Sequence, residues 1–276
     1  MSEPTLISRD ALSGKKVALS VSESADLARL GLTEQHCRLV VAEVGRAIML
    51  AGGTVVYGGH LNSGGYTEIL IEEAQRFSSG RTALEITLAE SEYRKLTLDE
   101  LIAADRALGD VGRLSLVSEA RETVPISRAL DGSWSQDARN ALTAMREYVA
   151  GETTARLIVG GRLSGYAGVE PGVIEEARLT IQSGHLLLVA GGYGGASAAV
   201  ARHLFPRSFD GWAPGADPAH AQNADVTAAL DALRDAYLST VLDSRLDEEL
   251  LQLLTISHRP ADIARATVRL LSEAAK

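Results

Sequence analysis

The sequence predicts an α/β fold: a doubly wound parallel sheet flanked by helices, with further helices at the C-terminal end. Three observations carry this. Short apolar runs recur along the chain, and helical patterns rather than hairpin turns separate most of them. Several of these runs stop at glycine pairs, Gly58-Gly59, Gly160-Gly161 and Gly191-Gly192, as buried strands do at a tight turn into a helix. Strand–helix–strand connections of this kind give parallel sheets with right-handed crossovers.

Taken in order, residues 1–14 read as a polar lead-in ending at Ser13-Gly14. Lys16–Val21 is the first strand, and Ser20, Ser22 and Ser24 surround Glu23 at its end. Small hydroxyls there cradle a phosphate or ribose in some proteins and are ordinary turn and cap residues in others. Thr33 is placed to cap a helix from Glu34 to about Leu50, with Val40, Val44, Ala47 and Ile48 on one face. A second strand ends in Val56-Tyr57-Gly58-Gly59-His60, followed by a glycine loop and a helix from about Tyr66. Thr82–Leu88 and Arg113–Val117 read as strands with a helix, Leu96–Leu108, between them. Pro125–Ser135 reads as loop, and Asp137–Val149 as an amphipathic helix carrying Arg139 and Arg146 on one face. Either arginine alone reads as part of a solvated face.

The stretch Ala155–Ser197 is the centre of the chain. Arg156–Val159 is a strand ending at Gly160-Gly161, Pro171 opens a helix, His185–Ala190 is the next strand, and Gly191-Gly192-Tyr193-Gly194-Gly195 leads into another helix. Open α/β sheets bind ligands at such strand ends. Pro206–Pro218 reads as a loop in which Phe209 and Trp212 either cover a pocket or pin the segment to the core, and pinning is the favoured reading. Ala224–Tyr237, Asp243–Ile256 and Pro260–Ala274 read as helices; the last two form a helical pair or an oligomer contact. The domain division is therefore a lead-in at 1–14, an α/β core at 15–205, and loop plus C-terminal helices at 206–276.

Composition excludes several classes. The 276 residues are long enough to bury a substantial core. A net charge of −9 disfavours a general nucleic-acid or anionic-membrane surface, although a local basic pocket for phosphate is compatible with it. The single cysteine, Cys37, rules out an intramolecular disulfide, and no Cys/His cluster has zinc spacing. No metal or cofactor is expected. No signal-peptide core or membrane-length apolar run is present, so the expectation is a soluble, cytoplasmic protein.

Sixteen of the 26 glycines fall in residues 52–65 and 155–197, about a fifth of the chain. Glycine loops at helix N-termini present backbone N–H groups to anions, so this concentration marks Gly58, Gly59, His60, Gly64, Gly65 and Thr67 as candidate ligand contacts. In the central stretch the candidates are Gly160, Gly161, Arg162, Gly172, Glu175, Glu176, Gly192, Gly194 and Gly195, joined by Ser20 and Ser22 of the first strand. There is no G-x-G-x-x-G after the first strand and no Gly-Lys-Ser/Thr, which disfavours standard dinucleotide dehydrogenases and P-loop enzymes.

Arg162 follows a glycine pair at a strand end, where a guanidinium can clamp a phosphate; a structural ion pair with Glu170, Glu175 or Glu176 is the alternative. Glu175 and Glu176 complement the helix dipole in the first turns, or serve a site by binding ribose hydroxyls or by general acid/base chemistry. His60 beside the first glycine loop can donate to a phosphate.

The combination resembles the SLOG superfamily over roughly residues 15–205. This Rossmann-like group includes the Lonely Guy cytokinin-activating phosphoribohydrolases, the DNA-uptake Smf proteins and the ligand-sensing domains of TRPM channels. Val56-Tyr57-Gly58-Gly59-His60 is similar to the VYGGG-type loop of the Lonely Guy enzymes, and Pro171-Gly172-Val173-Ile174-Glu175-Glu176 is the nearest match to their PGGxGTxxE motif. That resemblance implies a catalytic role for Glu176, with Arg139 as the nearest counterpart of their upstream arginine. The second glycine and the threonine of that motif are missing, and Val173 stands in the place of the phosphate-binding hydroxyl. Gly160-Gly161-Arg162, Gly165-Tyr166 and the GGYGG loop look more like SLOG branches that sense nucleotide-derived signals in bacterial immunity or stress. The resemblance then implies sensing of an NAD-derived ligand of ADP-ribose or cyclic ADP-ribose type, a homo-oligomer, and a separate effector protein of TIR or sirtuin type. The alternative is hydrolysis of a nucleotide N-glycosidic bond by Glu176 and Arg139, and a weaker third is an oligomeric scaffold with a decayed site.

Overall fold

A computed structural model describes residues 7–78, 80–209, 223–240 and 246–274. Trp212 and Asp243 lie outside the described residues, as does the side chain of Phe209. The chain runs β1 (Lys16–Ser22), α1 (Glu34–Leu50), β2 (Thr54–Gly58), α2 (Tyr66–Phe77), β3 (Leu84–Ala89), α3 (Glu90–Tyr93), α4 (Leu98–Leu108), β4 (Gly112–Val117) and β5 (Thr123–Val124). It continues through α5 (Ala138–Glu152), β6 (Ala155–Gly160), α6 (Gly172–Gln182), β7 (Leu186–Ala190), α7 (Gly195–Leu204), α8 (Pro206–Phe209), α9 (Ala224–Ser239), α10 (Glu248–Ile256) and α11 (Pro260–Glu273).

The sheet has the order β5-β4-β3-β2-β1-β6-β7. Every pairing is parallel except β4 with β5. This is the Rossmann-like, doubly wound arrangement the alternation of strands and helices predicts. The antiparallel β5 is the addition. Its two residues are too short to carry a periodic signal, and they return the chain after the turn Ser118–Glu122, where Arg121 takes φ 66°.

Alternation along the strands sorts the two faces. Val17, Leu19 and Val21 of β1 join Leu157 and Val159 of β6 in a large core with α1, α2, α4, α10 and α11. Ala18 points the other way, toward Met145 and Val149 of α5, and Ile158 packs with α6, α7 and α9. The last two helices are a packed pair laid on the chain's own core. Ile263, Ala266, Leu270 and Leu271 of α11 are buried against the α1 side, and α10 packs against β7. Pro260 opens α11 as its missing N–H allows.

Candidate functional site

The strand order reverses at β1: the chain builds outward through β2, β3 and β4 on one side, then returns to place β6 and β7 on the other. Ligands of open α/β sheets bind outside the carboxyl ends of the strands at such a point. Here the ends of β1 and β6 are tied together, with Ser22 paired to Gly160 and the Gly161 N–H donating to the Ser22 carbonyl at 2.9 Å. Gly161 has φ 102°, and a Cβ on it would press on Ala196 and Val173, so only glycine lets β6 leave the sheet this sharply.

A cavity of about 390 Å³ opens over these ends. β1 contributes Ser20 and Ser22 to its wall, the residue after it contributes Glu23, and β2 with its loop contributes Tyr57, Gly58, Gly59 and His60. Arg146 comes from α5, Arg162 and Tyr166 from the loop after β6, and Gly172, Val173 and Glu176 from the start of α6. Tyr57 and Tyr66 meet edge to face at 6.5 Å, and burial pushes both phenols above their ordinary pKa.

The charges behind the wall are interlocked. Arg146 pairs with Glu175, which also accepts from Thr143 Oγ1 at 2.6 Å. Glu176 lies between two guanidinium groups, with Arg146 Nε 3.5 Å from Oε1 and Arg156 Nη1 3.3 Å from Oε2. Arg156 also donates to Ser20 Oγ at 2.6 Å and to Thr180 Oγ1 at 2.8 Å. Burial pushes the Arg156 guanidinium down from its ordinary pKa, against the pull of Glu176. Glu170 pairs with Arg178. All three carboxylates that could have tied Arg162 are therefore held by other arginines. Arg162 itself is exposed on the cavity wall and, among the described residues, makes no ion pair.

The structure brings Ser20, Ser22, Gly58, Gly59, His60, Arg162, Gly172 and Glu176 to one cavity. Gly160, Gly161 and Glu175 lie just behind it and shape it. Gly64, Gly65 and Thr67 form the turn into α2 instead: Thr67 Oγ1 donates to the His60 carbonyl at 2.8 Å, and the Gly64 N–H donates to Glu68 at 2.7 Å. Gly192, Gly194 and Gly195 are outside the wall and packed against Ser257, Asp26 and Gly161. Arg139 is exposed in the first turn of α5, seven residues and thus about 10 Å of helix from Arg146. The arginine that faces Glu176 from α5 is Arg146. Arg156 is a site residue that the sequence reading missed, and Tyr166 entered it only through the Gly165-Tyr166 pair of the resemblance. A charge inside the apolar run Ala155–Gly160 is the signal that marks Arg156.

Fold and site together define a Rossmann-like α/β domain with an open, charged crevice at its switch point. The sequence profile of SLOG cluster2 matches residues 11–250, and the chain belongs to the SLOG family. Membership is consistent with nucleotide-related ligand binding or processing. No curated protein matches the chain. Among the described residues no helix is long and apolar enough to cross a membrane, and no group of three or more His, Cys, Asp or Glu is arranged to hold a metal ion.

Proposed function

We propose that this chain binds a nucleotide-derived ligand of ADP-ribose or cyclic ADP-ribose type and acts as a sensor. The observation that supports it most is Arg162, a guanidinium on the cavity wall with no carboxylate partner among the described residues, while its neighbours Arg146, Arg156 and Arg178 all have one. An unpaired guanidinium beside a helix N-terminus favours a phosphate, by bidentate charge-assisted hydrogen bonds and by the helix dipole. At about 390 Å³ the cavity is near the small end of ligand pockets, enough to enclose one nucleotide moiety and leave the rest of a larger ligand in the open mouth. On this reading the effector is a separate protein of TIR or sirtuin type.

One contact favours a second reading. Arg146 and Glu176 face each other at 3.5 Å on the cavity wall, which supplies an acid/base carboxylate and a cation for cleavage of an N-glycosidic bond. Incubation with AMP, NAD and ADP-ribose followed by chromatography separates the two. Binding without turnover, weakened in Arg162→Ala, supports the sensor. Release of ribose 5-phosphate or nicotinamide that vanishes in Glu176→Gln supports the hydrolase. No change of melting temperature with any of the three ligands counts against both.

A further inference from the structure

Arg156 sits in a central strand with its side chain 3% exposed. Burying a guanidinium is costly even with a good partner. Arg156 has a poor set: one oxygen of a carboxylate it shares with Arg146, two neutral hydroxyls, and an Nη2 that is buried with no hydrogen-bond partner among the described residues. A leucine or methionine would fill the space between β6 and α6 at lower cost, so stability does not account for this residue.

Its hydrogen bonds do. A guanidinium can only donate. Thr180 Oγ1 therefore accepts from Arg156 Nε, and it places its own proton on the Glu176 carbonyl at 2.8 Å. Ser20 Oγ likewise must accept from Nη1, which turns its O–H away from Arg156. Among the described residues no acceptor takes that proton, and Ser20 lines the cavity. Glu176 Oε2 meets the same Nη1. A hydroxyl set to donate and a carboxylate set to accept are thus pinned to one nitrogen, no farther apart than those two contacts laid end to end. An alcohol, which both donates and accepts, is the complement of that pair.

We propose that Arg156 is a positioning residue that sets Ser20 and Glu176 to read a hydroxyl of the ligand's ribose. The inference rests on the nucleotide reading above and makes Arg156, which is outside the cavity wall, a determinant of specificity.

The test is calorimetric titration of the full chain with AMP, 2′-deoxy-AMP and 3′-deoxy-AMP, with ADP-ribose alongside. Wild type is expected to prefer AMP over one deoxy analogue by about tenfold or more, the effect of losing a hydrogen bond to a charged group. In Arg156→Met that preference is expected to fall to within about twofold, through weaker AMP binding and unchanged binding of the analogue. Equal weakening of both ligands marks a merely structural role and overturns the proposal, as does an unchanged preference. If Arg156→Met does not fold, Ser20→Ala decides: a reduced preference supports the proposal and an unchanged one overturns it. A wild type that binds AMP and both analogues equally, or does not bind AMP, also overturns it. Binding of ADP-ribose in the same titrations shows whether the nucleotide reading survives that failure.

Discussion

Two helices leave this sheet from adjacent glycine-rich loops, and their N-termini have opposite surroundings. At α6, Gly172 and Val173 line the cavity, Pro171 provides no side-chain cap, and the Arg146 guanidinium lies against Gly172 while pairing with Glu175 of the first turn. At α7 the protein fills the place itself. The Asp26 carboxylate accepts from the Gly195 N–H at 2.7 Å, and Ser24 Oγ donates to the Tyr193 carbonyl at 2.9 Å. The fully buried Tyr193 reaches with its hydroxyl to the carbonyls of His36 and His258, and the backbone of Ser257 presses on Gly192. The α7 loop is closed by a carboxylate 169 residues away and by the connection between the two last helices. Glycine density in both loops reports close approach of something to the backbone. It does not distinguish a ligand from the chain's own groups.

The sharpest way to break this comparison is Gly195→Ala. The position has φ 58°, and its Cβ would collide with the Gly161 carbonyl and the Ser24 side chain, neither of which can swing aside. We expect a loss of more than about 3 kcal/mol in urea unfolding, from left-handed strain and overpacking together. A variant of wild-type stability would mean the α7 loop is not a packing element. Asp26→Asn is next: it keeps an oxygen near the Gly195 N–H and removes the charge, for an expected loss of about 1–3 kcal/mol. Nucleotide affinity should stay within about twofold, because Asp26 is not on the cavity wall. Arg162→Ala should show the reverse pattern. Unfolding should shift by no more than about 0.5 kcal/mol, since the side chain is exposed, while ADP-ribose binding weakens about tenfold or more by calorimetry. Loss of stability without loss of affinity would return Arg162 to a structural role.

The fold was readable because its elements carry strong local signals. The α1 helix runs from Glu34 to Leu50 as its cap at Thr33 and its apolar face require, and β1 extends only one residue past the expected Val21. The half of the site built at strand ends was readable for the same reason: Ser20, Gly58, His60, Arg162 and Glu176 sit where strands stop or helices start. Arg139 shows where the family resemblance outran the local pattern, which reads it as part of a solvated face, and it is exposed. It shares an angular position with Arg146, but periodicity is silent on height along the axis. Height is set by the irregular connection from β5 and by Asp137, whose carboxylate caps α5 and fixes Arg139 in its first turn. Arg156 was hidden differently. Its apolar neighbours identify a strand correctly, and the partners that give the charge its meaning, Ser20 and Glu176, belong to other elements.

The most discriminating substitution repeats the first one at the other helix. Gly172→Ala adds the same methyl group as Gly195→Ala, at the matching turn of the other helix. Here φ is not in the left-handed region, and the Cβ would meet the Arg146 guanidinium, a side-chain end and not backbone. The guanidinium can shift only together with its ion pairs to Glu175 and Glu176, so the loss in unfolding free energy should be about 1–2 kcal/mol, well below that of Gly195→Ala. Moving it disturbs the contact with Glu176, so ligand affinity should change more than stability does. Equal destabilisation by Gly172→Ala and Gly195→Ala would show that the α6 turn is packed as tightly as the α7 turn, and the distinction between an open and a self-filled loop would fall.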